Sequence, residues 1–351
     1  LLLLDELDYN DQVSIVTYAG CTRVALEPTF AADSEKIKAA IRGLGAGGST
    51  AGHAGIQLAY EMAERHFIPG GNNRVILATD GDFNVGISNT DDLVEMIEEK
   101  RETGIFLTVL GFGMGNYKDN RLEQLADKGN GNHAYIDNLL EAKKVFVDDL
   151  TSTLYTIAKD VKIQVEFNPA KVASYRLIGY ENRLLDKEDF EDDTKDAGEI
   201  GAGHTVTALY EIVPVGSGGD AGLDNVDPFD VDNLKYIETM LSLAATESNE
   251  VVTVHVRYKE PDGDESKLME IPLAADKIPA FGDASEDFRF VAAVAAFGMK
   301  LRGSPEAGQI TWAEIQDIAR GALGSDPGSY RAEFLTLVEK AKAVSKRKEN
   351  Q

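Results

Sequence analysis

The sequence is poor in cysteine, with Cys21 as its only thiol in 351 residues. A single cysteine cannot form an internal disulfide, which excludes a disulfide-stapled fold but leaves the compartment open. We interpret Cys21 as an inert thiol beside a sheet. The sequence also has no run of 18 apolar residues, so we expect no segment of this chain to span a bilayer.

Basic residues are scarce relative to acidic ones. The chain has 35 Lys and Arg against 60 Asp and Glu, a formal net charge of -25. Such a charge repels phosphate groups, which argues against a nucleic acid or an anionic membrane as the partner. The hydrophobic content of 43% is sufficient for a sizeable core in each of two or more domains.

Recognisable catalytic motifs are missing as well. The sequence has no His-Glu-x-x-His, nucleophile elbow or paired-cysteine motif. Ser49 with His53 is the only conceivable nucleophile and base, and no orienting group is evident. We therefore expect a protein that is not an enzyme, with a hydrolase as the least favoured alternative. The five histidines are scattered: His53, His66, His133, His204 and His255.

The first part of the chain alternates between strand and helix patterns. This alternation predicts a doubly wound, mostly parallel α/β sheet over residues 1–160. The predicted strands cover 13–18, 22–26, 75–79, 105–110 and 133–136, and the predicted helices cover 33–44, 50–66, 91–103, 122–126 and 139–158.

After Asp160 the apolar residues alternate with period two, which predicts an antiparallel β module over 161–280. An insertion at 216–249 carries five aspartates that could chelate Ca²⁺, although their spacing does not follow the EF-hand order and favours a solvated loop. Its second half, 232–245, has a helical pattern. The predicted strands of the module are 161–167, 205–213, 251–258 and 268–273.

Helical patterns return after Ser285 and predict a helical tail over 281–351. The apolar stripes of these helices are narrow, so we expect the tail to pack on the other domains. Trp312 and Phe334 are the expected anchors, because an aromatic side chain can bury on the order of 150 to 250 Å².

Two segments predict a functional site at one edge of the parallel sheet. The apolar run from Val75 ends in Asp80, and Gly47-Gly48-Ser49-Thr50 opens a helix. Ligands of open α/β sheets bind at the carboxyl ends of strands, where such loops converge. A hydroxyl and a carboxylate are oxygen donors, which suit Mg²⁺ or Mn²⁺. The structural alternative is that Thr50 only caps its helix and Asp80 only stabilises a turn.

Four further residues are expected to line the rim of this site. They fall in the same two segments, close to the proposed metal donors. For His53 we expect a position beside the metal rather than a direct bond to it. The rim residues are Ser49, His53, Asp82 and Asn84.

Together these residues resemble the von Willebrand factor type A domain. The resemblance rests on Gly47-Gly48-Ser49-Thr50, on Leu77-Ala78-Thr79-Asp80-Gly81, and on Gly111-Phe112-Gly113 followed by Gly129-Asn130-Gly131. More closely, nearly the whole chain resembles an uncharacterised bacterial branch of that family, in which a β module and a helical tail follow the A domain. The matching stretches there are 258–264 and 297–304.

The resemblance implies a metal-ion-dependent adhesion site. In the family, Mg²⁺ is bound by an Asp-x-Ser-x-Ser segment on the first strand, a Thr that matches Thr50, and an Asp that matches Asp80. An acidic side chain of the partner protein completes the coordination. No Asp-x-Ser-x-Ser occurs in this sequence, so we expect that its strand precedes Leu1 and that the chain alone binds metal weakly or not at all.

The resemblance also implies a function and a location. We expect a metal-dependent, adhesion-type protein-binding module of the bacterial cell envelope or periplasm, because relatives of this kind are often exported or lipid-anchored. The alternative is a structural scaffold that has lost its metal and packs on partners through the β module.

Overall fold

The computed structural model describes residues 1–18, 20–45, 52–79, 90–113, 119–149, 156–180, 184–195, 197–216, 241–261 and 263–349. Two compact units are defined by their internal contacts. The first comprises Leu1–Val161, Thr194–Thr205 and Tyr258–Ser266, and the second comprises Lys162–Asp193, Val206–Arg257 and Lys267–Gln351. Within the described ranges, no helix combines the length and apolarity that crossing a membrane requires.

The N-terminal part has the predicted alternation of strands and helices. Its strands are β1 (Gln12–Thr17), β2 (Arg23–Phe30), β3 (Asn73–Thr79), β4 (Ile105–Phe112) and β5 (His133–Ile136). Its helices are α1 (Leu2–Glu6), α2 (Ser34–Arg42), α3 (Gly52–Arg65), α4 (Thr90–Glu102), α5 (Asp119–Lys128) and α6 (Leu139–Lys143), and a π-helical turn follows at Lys144–Asp148.

Strands β3, β4 and β5 form a parallel sheet with β4 in the centre, and β1 pairs with β2 in an antiparallel hairpin. The central position of β4 explains its sequence: a strand covered on both faces reads as a continuous apolar run. Side chains from α3, α4 and α5 form one core with β3 and β4, and the predicted α/β domain is confirmed. This core includes Ile56, Tyr60, Val75, Leu77, Leu93, Ile97, Leu107, Val109, Leu122 and Leu125.

The turn between α5 and β5 lies directly against β4. Leu107 N donates to Gly129 O and Val109 N donates to Asn132 O, both at 2.9 Å. Gly131 lies so close to β4 that an added Cβ would overlap the carbonyl group of Leu107. Only glycine fits there without moving one of the two segments, because every other residue carries a Cβ.

The next segment is an antiparallel β module, as predicted. Its strands are β6 (Thr156–Phe167), β7 (Val172–Ile178), β8 (Gly198–Gly201), β9 (Leu209–Pro214), β10 (Glu250–Lys259) and β11 (Lys267–Ala274), with a short helix α7 (Leu243–Glu247). One sheet has the order β11-β10-β6-β8, and β7 pairs with β9. The sequence predicts a helix over 232–245, and its residues up to 240 lie outside the described residues.

The predicted helix over 139–158 is wrong at its C-terminal end, from Thr156 onward. Helix α6 and the π-helical turn end at Asp148, and Thr156 already belongs to β6. The reason is a long-range pairing, because Thr156 lies opposite Gly201 and Ala158 opposite Ile200 on β8. Tertiary pairing of this kind overrides a helical pattern in the local sequence.

The helical tail consists of α8 (Glu286–Arg302), α9 (Trp312–Arg320) and α10 (Tyr330–Glu349). The tail belongs to the same compact unit as most of the β module, in agreement with the expected packing on another domain, and it also has a core of its own. Phe297 makes edge-to-face contacts with both predicted anchors, with ring centroids 5.7 Å from Trp312 and 5.2 Å from Phe334. The three helices thus pool their narrow stripes into one core, whose buried members are Ala293, Ala296, Phe297, Ile315, Ala319 and Val338.

Candidate functional site

The carboxyl ends of the parallel strands lie side by side. Thr79, the last residue of β3, is in register with Gly111 of β4, and Phe112 is in register with Ile136 of β5. The loops that leave β3 and β4 therefore start from the same edge of the sheet. This is the edge at which the sequence predicts the site.

The start of α3 reaches the same edge. Gly55, in the first turn of α3, packs so closely on Tyr18 that an added Cβ would lie 2.8 Å from Cγ of the tyrosine. The Tyr18 hydroxyl donates to Ala78 O at 2.6 Å, one residue before β3 ends. Tyr18 thus contacts both the beginning of α3 and the end of β3. The sequence gives no signal for this role, because Tyr18 reads simply as the last residue of a strand.

The third loop at this edge begins at Gly113, immediately after β4. Gly113 has a φ of +83°, in the left-handed region that favours glycine. Its carbonyl oxygen accepts a hydrogen bond from the Tyr135 hydroxyl of β5. The departure of the chain from β4 is therefore fixed by a side chain of the neighbouring strand.

Of the six predicted site residues, the structure describes one. His53 lies in the first turn of α3 and is half-buried. The predicted metal donors Thr50 and Asp80, together with Ser49, Asp82 and Asn84, lie outside the described residues. In the described part of the chain, no three His, Cys, Asp or Glu side chains form a group that could hold a metal ion. The described residues thus define the frame of the site, and the donor set stays a prediction.

The opposite edge of the sheet has a different chemical character. Arg74, the second residue of β3, donates from Nη1 to Thr108 Oγ1 at 2.7 Å, and its guanidinium lies 5.6 Å from the Phe106 ring centroid. Burial lowers the pKa of Arg74 to about 10, and the charge of Glu199 partly opposes this shift. This half-buried cation and its acidic neighbour lie near the amino end of β3, far along the strand from the predicted metal donors.

Two family models match this sequence. The model described as "von Willebrand factor type A domain" matches residues 2–149, and the model described as "Uncharacterized protein YfbK, C-terminal" matches residues 152–344. The chain belongs to the YfbK family. The resemblance inferred from the glycine-rich and strand-end motifs is thereby confirmed, as is the order of an A domain followed by a second, β-rich and helical part.

One relative extends over almost the whole sequence of this YfbK-family chain. It is "Uncharacterized protein YfbK" of Escherichia coli (strain K12), which is 44% identical over 344 residues. The match covers 98% of the chain and 57% of the relative. The chain therefore spans a little over half the length of that relative.

Solved structures with a similar fold include two bacterial proteins. "von Willebrand factor type A from Catenulispora acidiphila" has a TM-score of 0.44 and 16% identity, and the match covers 92% of this chain and 73% of that one. The "conserved hypothetical protein BatB from Bacteroides thetaiotaomicron" has a TM-score of 0.34 and 24% identity over 42% of this chain and 81% of that one. Von Willebrand factor type A domains are generally protein interaction modules.

Proposed function

We propose that this chain is a metal-dependent, adhesion-type protein-binding module of the bacterial cell envelope. We also propose that the protein is located in the envelope or periplasm and that it binds a partner rather than catalysing a reaction. The partner protein binds at the carboxyl edge of the parallel sheet, where β3 and β4 end and α3 begins. The observation that carries this proposal is the double contact of Tyr18, whose side chain packs on Gly55 and bonds Ala78 O.

Thr50 and Asp80 are the proposed metal donors. Thr50 precedes α3 by two residues and Asp80 follows β3 by one, so both flank elements that Tyr18 holds together. A hydroxyl and a carboxylate fit Mg²⁺ or Mn²⁺, which prefer oxygen ligands. Two protein donors leave most of an octahedral shell open. In the full-length protein, the Asp-x-Ser-x-Ser segment that the family resemblance implies would supply further oxygen donors, and an acidic side chain of the partner protein would complete the coordination.

The metal donors are tested by Thr50→Ala and Asp80→Ala in the full-length protein. Each substitution should weaken Mn²⁺ binding by about tenfold or more, because removing even a residue that only supports a ligand typically costs 10- to 100-fold. Both side chains are expected at a polar sheet edge, so the thermal midpoint of the metal-free protein should hardly change. Calorimetric titration with Mn²⁺ and a thermal scan measure the two quantities. Unchanged Mn²⁺ affinity in both variants would reject the metal site.

The position of the partner is tested with two histidines, one at each end of α3. His53 lies in the first turn of α3, and His66 follows its last residue at the opposite edge of the sheet. If partner binding uses the carboxyl edge, His53→Ala should weaken it and His66→Ala should not. Partner binding that persists without metal, in both Thr50→Ala and Asp80→Ala, would instead support the scaffold alternative.

A further inference from the structure

One tyrosine hydroxyl holds the end of strand β3. The Tyr18 hydroxyl donates to Ala78 O at 2.6 Å, although the two residues are 60 positions apart in the sequence. In addition, β3 stays paired with β4 up to its last residue, because Thr79 lies in register with Gly111. The last two residues of β3 are therefore fixed by β4 and by the Tyr18 side chain together.

The ring and the hydroxyl of Tyr18 make different contacts. The ring packs on Gly55 of α3, where a Cβ added to the glycine would lie 2.8 Å from Cγ of Tyr18 and 3.2 Å from its Cδ1. Phenylalanine has the same ring atoms, so the packing on α3 does not require a tyrosine. The bond to Ala78 O does require the hydroxyl. A Tyr18→Phe substitution therefore removes the bond to β3 and keeps the packing on α3.

The hydroxyl acts close to a proposed metal donor. Ala78 precedes Asp80 by two residues, so its carbonyl group belongs to the part of the strand that leads directly to the proposed carboxylate ligand. Groups that orient a metal ligand contribute roughly 10- to 100-fold in metal affinity. The Tyr18 hydroxyl holds the backbone before the ligand rather than the ligand itself, and one neutral hydrogen bond changes an equilibrium by about two- to tenfold. We therefore expect a contribution at or below the lower end of the first range.

We propose that Tyr18 is a positioning residue of the metal site, whose hydroxyl fixes the end of β3 and thereby the carboxylate donor Asp80. This inference rests on the proposed function, because it requires that Asp80 binds the metal. It adds to the site a residue of the β1 end, outside the two segments that carry the predicted donors and rim residues.

Tyr18→Phe in the full-length protein tests this role. The Mn²⁺ affinity should fall by about three- to tenfold in a calorimetric titration, and the thermal midpoint of the metal-free protein should stay within about 4 °C of the parent. Tyr180→Phe is the matched control, because the Tyr180 hydroxyl also donates to a main-chain carbonyl, Thr207 O at 3.1 Å, but belongs to the β module. This control should leave the Mn²⁺ affinity unchanged.

Double variants separate an effect through Asp80 from a general loss of structure. If Tyr18 acts by positioning Asp80, Tyr18→Phe should weaken Mn²⁺ binding further in a Thr50→Ala background. In an Asp80→Ala background it should have no further effect, because the group that it positions is gone. Electron paramagnetic resonance of the free Mn²⁺ measures these weaker affinities. A purely structural role would give the same loss in both backgrounds.

The outcomes distinguish this inference from the proposed function. Unchanged Mn²⁺ affinity in both Thr50→Ala and Asp80→Ala would reject the metal site, and the role of Tyr18 with it. If those two variants weaken binding but Tyr18→Phe does not, the metal site stands and the role of Tyr18 is overturned. The same conclusion follows if Tyr18→Phe reduces the affinity by an equal factor in the Asp80→Ala background, or if Tyr180→Phe causes an equal loss.

Discussion

Gly131→Ala should strongly destabilise the N-terminal unit, because the added methyl group has no space. Its Cβ would overlap the carbonyl group of Leu107 and lie 3.0 Å from Thr108 N. Both groups belong to the backbone of the central strand β4 and cannot rotate away. The turn from Gly129 to Asn132 must then move off β4, which breaks the two hydrogen bonds that Leu107 N and Val109 N donate to it.

The expected cost follows from these two losses. Each buried backbone group left without a partner costs about 1–3 kcal/mol, and forcing an extra methyl group into a packed region costs a further 1–3 kcal/mol. We therefore expect a loss of about 3–9 kcal/mol, which lowers the thermal midpoint by roughly 6 °C or more for a unit of this size. A thermal scan followed by circular dichroism measures the shift.

Gly45→Ala is the control for this prediction. Gly45 belongs to the same unit, its added Cβ would meet no heavy atom within 4 Å, and its φ lies outside the left-handed region. Its substitution should leave the midpoint within about 2 °C of the parent. If Gly131→Ala melted like Gly45→Ala, the close approach of the β5 turn to β4 would be refuted.

Two smaller changes test other parts of the same core. Tyr60→Phe should raise the thermal midpoint by roughly 2–4 °C, because the buried Tyr60 hydroxyl has no hydrogen-bond partner among the described residues. Burial also raises the pKa of this hydroxyl. A lower midpoint in the variant would reveal a partner. The hydrogen bond from Lys128 lowers the pKa of Glu98 below its usual 4.5, so this pair stabilises the fold above that pH and the contribution is lost as the pH falls through the lowered value. Lys128→Met should therefore lower the free energy of unfolding by about 0.5 kcal/mol at pH 7, as for an exposed ion pair, and leave it unchanged at pH 2. Urea unfolding at both pH values measures the difference. Equal losses at the two pH values would contradict the pairing.

The parallel sheet is the part of the fold that the sequence predicts best. Strands β3 and β4 are short apolar runs ended by glycine or polar residues, and such runs leave a signal that needs no knowledge of the partner strand. The carboxyl edge follows from the same pattern. The proposed metal donors Thr50 and Asp80 lie outside the described residues, and their role stays a prediction.

The contact of His255 with two glutamates shows what a linear pattern cannot reveal. His255 reads as one of several scattered histidines, and Glu166 and Glu270 read as solvent-facing positions of alternating strands. Only the order β11-β10-β6 brings the three side chains together. The contacts also relate the faces of the three strands to one another, which alternation within a single strand leaves open.

The core that the three tail helices share cannot be predicted from the sequence for a related physical reason. The apolar stripe of each helix is too narrow for a core when the helices are considered singly, and periodicity reports on single helices only. Phe297 of α8 packs against Trp312 of α9 and Phe334 of α10, so three narrow stripes face a common centre. The loops between the helices decide this arrangement: Gly303, with a φ of +68°, ends α8, and the Thr311–Glu314 capping box starts α9. The glycine that ends α8 and the capping box that starts α9 can both be recognised in the sequence. Together they set the direction of the chain between the two helices, so that the aromatic side chains are in contact.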